Sequence, residues 1–160
     1  MADQASRRAA REQAFALLFE LSFHADAAIE TLLANAVDAD RGEPLQPDPF
    51  AVRLAETAAA NLEQLDGEIA KRLKNWKLSR IPRASHALLR LALCEMLFFD
   101  EIPVGASINE AVELGKRYGD EEAPRFINGV LGAVARNAAV ESAAAETAAA
   151  EEKTDANPGD

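Results

Sequence analysis

The sequence predicts an all-α fold of about seven helices. Apolar residues recur at helical spacing through most of residues 5–136, and no segment alternates Val, Ile or Thr with polar residues as a strand would. Proline and glycine divide this region into pieces of helix length. A chain of 160 residues can bury a substantial core, so we expect one helical domain without disulfide or metal staples.

Two helices are expected before the first long loop. The first covers about residues 6–23, and the second runs from Asp26, a candidate N-cap, to Asp38. Residues 41–49 contain three prolines and one glycine, so this segment is expected to be a loop.

Asp48 is predicted to cap a third helix that has Pro49 at its first position, a common start signal. The apolar residues at helical spacing in this helix are Phe50, Leu54, Ala58 and Leu62. A fourth helix is expected from Asp66 to Asn75, and its inward residues are Ile69 and Leu73.

Three further helices complete the prediction. Pro82 opens a fifth helix, which is apolar on most faces over residues 87–99 and is therefore expected at the centre of the bundle. A capping box, Ser107 with Glu110, predicts that a sixth helix begins at Ser107, and Gly119 ends it. Pro124 opens the seventh, whose expected core residues are Ile127, Val130, Leu131 and Val134, and Gly129 within it indicates a close helix–helix approach.

The formal charge of −10 argues at first against nucleic-acid binding, but the charge is unevenly placed. Residues 137–160 hold six acidic side chains and one lysine, which gives −6 + 1 = −5, and they contain no Leu, Ile or Phe. We therefore expect a helical domain over residues 1–136 and a disordered acidic tail over residues 137–160. One cysteine, no long apolar run and no signal peptide predict a soluble cytoplasmic protein.

The first helix gathers arginine and aromatic side chains in one sector. On a helical projection, in which successive residues are about 100° apart, these side chains occupy a sector of about 120° beside the aliphatic stripe. They are Arg7, Arg8, Arg11, Phe15 and Phe19. Guanidinium groups bind phosphates, and aromatic rings stack on unpaired bases. Arginines at a helix N-terminus oppose the macrodipole, so an anionic partner would explain them. The sector predicts a face for single-stranded RNA; the alternative is that the phenylalanines widen the core and the arginines are merely solvated.

No constellation predicts catalysis. Glu95 is expected to pair with Arg90 or Arg83, His86 to pack or lie at the surface, and Cys94 to be a small core residue. We expect no catalytic residue, no cofactor and no metal site. Trp76 lies within the basic stretch 71–77, which could meet nucleic acid or an acidic protein surface. A lone tryptophan at a helix end, however, more often packs as a hinge in the core.

Four motifs in order carry a family resemblance: Arg7–Glu12 leading to Leu17–Phe19, Leu88–Glu95, Ile102-Pro103 with Ile108–Leu114, and Phe126–Leu131. Together they resemble the NusB family of transcription antitermination factors over about residues 6–136. The resemblance implies two packed helical subdomains and a non-enzymatic role. It also implies pairing with NusE, a ribosomal protein of the small subunit, and binding of the pair to the boxA element of nascent rRNA leaders.

In this family the pair joins the RNA polymerase antitermination complex, promotes read-through of terminators and supports rRNA maturation. The resemblance implies no cofactor and no membrane partner, and a monomer or weak homodimer when the protein is free. The alternative, which the residues alone leave open, is a non-catalytic helical adaptor or scaffold that binds proteins and not RNA.

The family pattern carries over to named positions of this sequence. The arginine-rich start of the first helix, which contacts RNA, corresponds to Arg7, Arg8 and Arg11, and a family aromatic that is usually tyrosine corresponds to Phe19. The start of the last helix and the loop before it also approach RNA, and the matching residues are Glu122, Arg125 and Phe126. Ala9 replaces a possible arginine and Phe19 lacks the hydroxyl, so we expect weak RNA binding without the partner.

Overall fold

The computed structural model describes residues 4–24, 26–36, 42–43, 46–74 and 76–138, and over these ranges it is all α-helical, as predicted. Its helices are α1 (Gln4–Leu21), α2 (Ile29–Asn35), α3 (Pro49–Ala60), α4 (Leu62–Ala70), α5 (Arg83–Phe98), α6 (Val104–Tyr118) and α7 (residues 123–138). One 3-10 turn, Leu78–Arg80, precedes α5.

Helix α5 lies at the centre of the core, as its apolar sequence predicts. Its leucines at positions 88, 89, 91 and 93 are fully buried. Helices α1, α3, α4 and α6 all pack directly on it, and α2 packs on α1 and α3. Cys94 is buried within it, and desolvation raises the pKa of this thiol to about 12.

Local signals placed α3 and α7 correctly. The Asp48 carboxylate accepts a hydrogen bond from the Phe50 backbone N–H at 2.8 Å, which confirms the predicted cap. Leu54 and Ala58 are fully buried on α3, whereas Phe50 is half-buried. The predicted core residues of α7 are all buried: Ile127, Val130, Leu131 and Val134. Helix α7 continues through residue 138, and the remainder of the predicted acidic tail lies outside the described residues.

Three predicted helix starts are wrong. Helix α2 begins at Ile29 and is preceded by Ala28, so Asp26 does not cap it, and its predicted end at Asp38 lies outside the described residues. Helix α4 begins at Leu62, directly after Asn61 closes α3, rather than at Asp66. Its predicted end, Asn75, also lies outside the described residues, and the helix stops at Ala70.

Helix α6 begins at Val104 rather than at Ser107. The predicted capping box fails because tertiary partners take both of its side chains. The Ser107 hydroxyl donates to Glu95 at 3.0 Å inside the core, and Glu110 accepts hydrogen bonds from Arg8. Gly119 follows the last residue of the helix, as predicted.

The close helix–helix approach that was predicted at Gly129 lies at a different glycine. A Cβ added at Gly129 would meet nothing within 4 Å, so the predicted close approach at this position is wrong. The close approach lies at Gly115 of α6, where an added Cβ would come within 2.9 Å of Ile127 Cδ1 and 3.7 Å of the Pro124 backbone. This contact brings the start of α7 against α6 and fixes the turn between them.

Candidate nucleic-acid interface

The three arginines of α1 have three different environments. Arg8 is exposed, and its Nε and Nη2 donate to the two carboxylate oxygens of Glu110 at 2.9 Å each. This bidentate hydrogen bond lowers the pKa of Glu110 and raises the pKa of Arg8. Arg8 is therefore presented at the surface while it is paired with a carboxylate.

Arg11 is buried instead, with 6% of its surface exposed. Its Nε donates to Glu95 Oε2 at 2.9 Å and its Nη2 to Glu95 Oε1 at 2.7 Å. Glu95 was expected to pair with Arg90 or Arg83, and this prediction is wrong because α1 crosses α5 and brings Arg11 to the carboxylate. The pair ties α1 to the central helix beneath the predicted RNA face.

Arg7 stacks on an aromatic ring of α3. Its guanidinium carbon lies 3.8 Å from the centroid of the Phe50 ring, a cation–π distance. Phe50 in turn meets Phe99 edge to face, with the ring centroids 5.8 Å apart. This stack orients Arg7 along the side of α1 that faces α3.

The aromatic residues of α1 form a strip that continues onto α6. We use the name aromatic strip for Phe15, Phe19, Phe23 and Tyr118. Phe15 is buried and packs against Phe19 and Tyr118, with centroid distances of 5.8 and 5.0 Å. Phe19 is half-buried and meets Phe23 edge to face at 5.2 Å. Phe15 therefore supports the strip from beneath, and the other three rings form its surface.

Arginine flanks both ends of the aromatic strip. The guanidinium carbon of Arg83 lies 4.3 Å from the centroid of the Phe23 ring, and Arg83 Nη1 donates to the backbone carbonyl of Ser22. At the other end, the guanidinium carbon of Arg117 lies 5.4 Å from the Tyr118 centroid. RNA can bind such a surface, because its phosphates pair with the arginines and its unpaired bases stack on the aromatic rings.

The second predicted region lies at the start of α7. Glu122 and Arg125 are exposed there, and Phe126 is half-buried. The Asp120 carboxylate accepts a hydrogen bond from the Glu122 backbone N–H at 3.1 Å, which holds the turn between α6 and α7. Because Tyr118 at the end of α6 packs on Phe15, this turn continues from the aromatic strip of α1.

Trp76 is 60% exposed, so its predicted packing as a hinge in the core is wrong. Ile81 is buried at this junction and Leu78 packs against the core, so the space that a hinge residue would fill is taken. Trp76 instead lines a cleft of about 590 Å³ together with residues of the α7 start.

Sequence reasoning missed several residues of this surface. Phe23 lies within about 40° of Phe19 on the helical projection of α1, so the same arithmetic would have included it. Tyr118, Arg83 and Glu110 gave no such signal, because they reach α1 only through the packing of α5 and α6.

Two further points concern metal binding and membrane spanning in the part of the chain that the structure describes. There, no group of three or more His, Cys, Asp or Glu side chains is placed to hold a metal ion. None of the helices within the described ranges is long and apolar enough to span a membrane. His86 Nε2 donates a hydrogen bond to Asp66 Oδ1 at 2.7 Å, and the same carboxylate accepts hydrogen bonds from Arg90.

The fold and this surface define an all-helical protein that presents arginine and aromatic side chains along one helix and the turn beside it. The model of the NusB family matches residues 8–136. This chain belongs to the NusB family of transcription antitermination proteins.

Curated relatives and solved structures agree with this assignment. The transcription antitermination protein NusB of Bacillus subtilis (strain 168) is 42% identical over 128 residues, which is 80% of this chain and 93% of the relative. NusB of Nitratidesulfovibrio vulgaris is 42% identical over 138 residues, which is 82% of this chain and 88% of the relative.

Among solved structures, T. maritima NusB superposes with a TM-score of 0.69 and 34% identity, over 81% of this chain and 90% of that one. A structure of the antitermination factors NusB and NusE in complex with dsRNA superposes with a TM-score of 0.67 and 26% identity, over 84% of this chain and 99% of that one.

Proposed function

We propose that this chain binds the boxA element of nascent rRNA leader transcripts together with a NusE-like ribosomal protein. In this role it joins the RNA polymerase antitermination complex, promotes read-through of terminators and supports rRNA maturation. The free protein is a monomer or weak homodimer that binds RNA weakly. Membership of the NusB family and the related structure of NusB and NusE with dsRNA support this proposal.

The observation that carries the proposal is the exposed arginine of α1 beside a surface of aromatic rings. Arg8 presents a guanidinium at the surface, and Arg7 lies one residue before it. Phe19 and Tyr118 expose ring surface further along the same face. Phosphates would bind the arginines, and unpaired bases would stack on the rings, as single-stranded RNA recognition requires.

Burial divides the predicted site residues into two roles. Arg11 and Phe15 are each 6% exposed, so we assign them to positioning: Arg11 anchors α1 through Glu95, and Phe15 supports Phe19. We assign direct RNA contact to the accessible residues, which are Arg7, Arg8, Phe19, Glu122, Arg125 and Phe126.

The test is a fluorescence-anisotropy titration of a boxA-containing RNA, with and without the NusE-like protein. We expect Arg8→Ala to weaken RNA binding by the pair about five- to tenfold, because a phosphate contact is lost and the Glu110 carboxylate is left without its cation beside the RNA. The dependence of log K on log salt between about 50 and 200 mM should become shallower by about 0.7 for each phosphate contact removed. Phe19→Ala should weaken binding about fivefold or more through lost stacking.

Lys71→Ala is the matched control. It removes one exposed positive charge from the residue that follows α4, a helix that carries none of the proposed RNA residues. If Arg8→Ala and Lys71→Ala weaken binding equally, the effect is one of net charge and the assigned face is wrong. If the pair binds boxA and a scrambled RNA equally, the proposed boxA function fails. If the pair binds neither RNA, the protein-binding adaptor becomes the better description.

A further inference from the structure

The cleft beside Trp76 lies between two segments that the fold brings together. One is the stretch from Trp76 to the start of α5, and the other runs from the α6–α7 turn into α7. Its volume is about 590 Å³, and it is lined by Trp76, Arg80, Ile81, Pro82, Ser85, Asp120, Glu122, Ala123, Arg125 and Phe126. A tryptophan that is 60% exposed beside an open cleft leaves a large aromatic surface without a partner in the described chain.

The charges around the cleft are mixed. Arg80 and Arg125 line it, and no salt bridge among the described residues engages either of them. Asp120 and Glu122 line the same cleft. The arginines would attract phosphates at the rim. The carboxylates would repel a phosphate inside but can accept hydrogen bonds from the amino and imino groups of a base.

The lining of the cleft is adjacent along the chain to residues at both ends of the aromatic strip. Arg83, which covers the Phe23 ring, directly follows Pro82 of the cleft lining. Tyr118, at the other end of the strip, precedes Asp120 of the lining by two residues. We therefore expect an RNA strand that stacks along the aromatic strip to reach the cleft as well.

We propose that this cleft takes one unpaired base of the bound single-stranded RNA, stacked on Trp76, while Arg80 and Arg125 bind the flanking phosphates. The proposal rests on the proposed function and extends it to a base-binding site. The Asp120 and Glu122 carboxylates in the lining favour a base with exocyclic amino or ring imino donors over one that offers only acceptors. Phe126 provides a second apolar surface for the bound base.

The chain contains a single tryptophan, so its intrinsic fluorescence reports on this site alone. The experiment titrates the full-length chain at low ionic strength with an unlabelled single-stranded boxA-like RNA of about 12 nucleotides. Trp76 emission and the anisotropy of the same RNA carrying a 5′ dye are measured in parallel. We expect quenching of Trp76 that saturates with the same Kd as the anisotropy.

Variants separate stacking from a structural effect. Trp76→Ala should weaken RNA binding about 5- to 150-fold, the range for loss of one stacked base, and Trp76→Phe should recover much of this loss. Leu97→Ala is the matched control, because it removes another exposed apolar side chain, from the far end of α5, and should leave the affinity unchanged. Circular dichroism of Trp76→Ala should be unaltered, since the ring is exposed in the folded chain.

The outcomes distinguish this inference from the proposed function. If RNA binds by anisotropy while Trp76 emission and the affinity of Trp76→Ala are unchanged, the base site is refuted and the RNA-binding function stands. If emission changes only on addition of the NusE-like protein without RNA, the cleft takes a protein side chain and the proposal is overturned. If neither the chain nor the pair binds RNA, the proposed function itself fails, and the base site fails with it.

Discussion

Arg11 of α1 and Glu95 of α5 form a buried bidentate ion pair, with N–O distances of 2.9 and 2.7 Å. The Glu95 carboxylate also accepts a hydrogen bond from the Ser107 hydroxyl of α6 at 3.0 Å. One carboxylate therefore holds three helices, and the first of these helices carries the proposed RNA face. The position of the proposed RNA face therefore depends on the buried Glu95 carboxylate, which is not itself part of that face.

Removing Arg11 should destabilise the fold strongly. Arg11→Ala leaves a buried carboxylate without its cation, and we expect the free energy of unfolding to fall by about 3–5 kcal/mol. Urea denaturation followed by circular dichroism measures this loss. Arg8→Ala, which breaks an exposed pair, should change the stability far less and serves as the control. The double variant Arg11→Met with Glu95→Leu should recover most of the loss, and a double variant as unstable as Arg11→Ala would contradict the assignment.

Asp66 should make the stability of the protein depend on pH in acid. Partial burial by itself would raise the pKa of its carboxyl, but hydrogen bonds from Arg90 and His86, together with their charges, hold this pKa well below the usual value. A carboxyl with a depressed folded pKa contributes stability above its unfolded pKa of about 3.9, and this contribution is lost as the pH falls through the folded pKa.

Asp66→Asn is therefore expected to reduce the free energy of unfolding at pH 7 by about 1–2 kcal/mol and to flatten its decline below about pH 4. Urea titrations from pH 7 to about pH 2.5 measure both effects. Glu68→Gln, which removes a more exposed ion pair on the same helix, is the control and should change the pH profile less. Parallel pH profiles for Asp66→Asn and the unmodified protein would refute the prediction.

The two glycines of the α6–α7 region should respond in opposite directions to alanine. Gly115→Ala places a Cβ against Ile127 Cδ1, so we expect a loss of about 1–2 kcal/mol, limited because the end of that side chain can shift. Gly129→Ala places a methyl group in open space within a helix and should gain about 0.5–1 kcal/mol. Thermal unfolding of both variants gives the comparison; a gain at Gly115 would mean that the two helices are not in close contact.

Glu110 should restrain RNA binding by Arg8. Glu110→Gln removes the carboxylate that neutralises this guanidinium, so we expect RNA affinity to rise about two- to fivefold in the anisotropy titration. Glu113→Gln is the matched control, since it makes the same charge change on the same helix but frees Lys116 instead. An equal rise in both variants would indicate a general effect of charge and not a specific role of the Arg8 pair.

The sequence predicted those features of the fold that depend on neighbours in the chain. The Asp48 cap and the apolar run of α5 are properties of single segments, and both predictions were confirmed. The prediction failed where a second helix decides the outcome. Ser107 has the sequence pattern of a helix cap, but its hydroxyl donates to Glu95 instead. Gly129 lies in the middle of a helix, where glycine is unfavourable, yet the close contact with a neighbouring helix is at Gly115.

The candidate interface divides in the same way. Helical periodicity grouped the arginines and phenylalanines of α1, but it could not distinguish the exposed Arg8 from the buried Arg11. That distinction depends on which residue faces α5, and a single helix contains no information on its neighbour. The exposure of Trp76 was unpredictable for the same reason, because Ile81 and Leu78 fill the core at that junction.

The pairing of Arg8 with Glu110 means that this protein carries its own counterion at the proposed RNA face. A phosphate that takes the guanidinium must return the carboxylate to water, so the free energy gained is the difference between two ion pairs and not the full value of one. Polyanions that offer only phosphate charge therefore gain little from Arg8. A ligand that also stacks on the neighbouring rings gains binding free energy that does not depend on this exchange of ion pairs. The Arg8–Glu110 pair therefore favours unpaired RNA over polyanions that offer only phosphate charge.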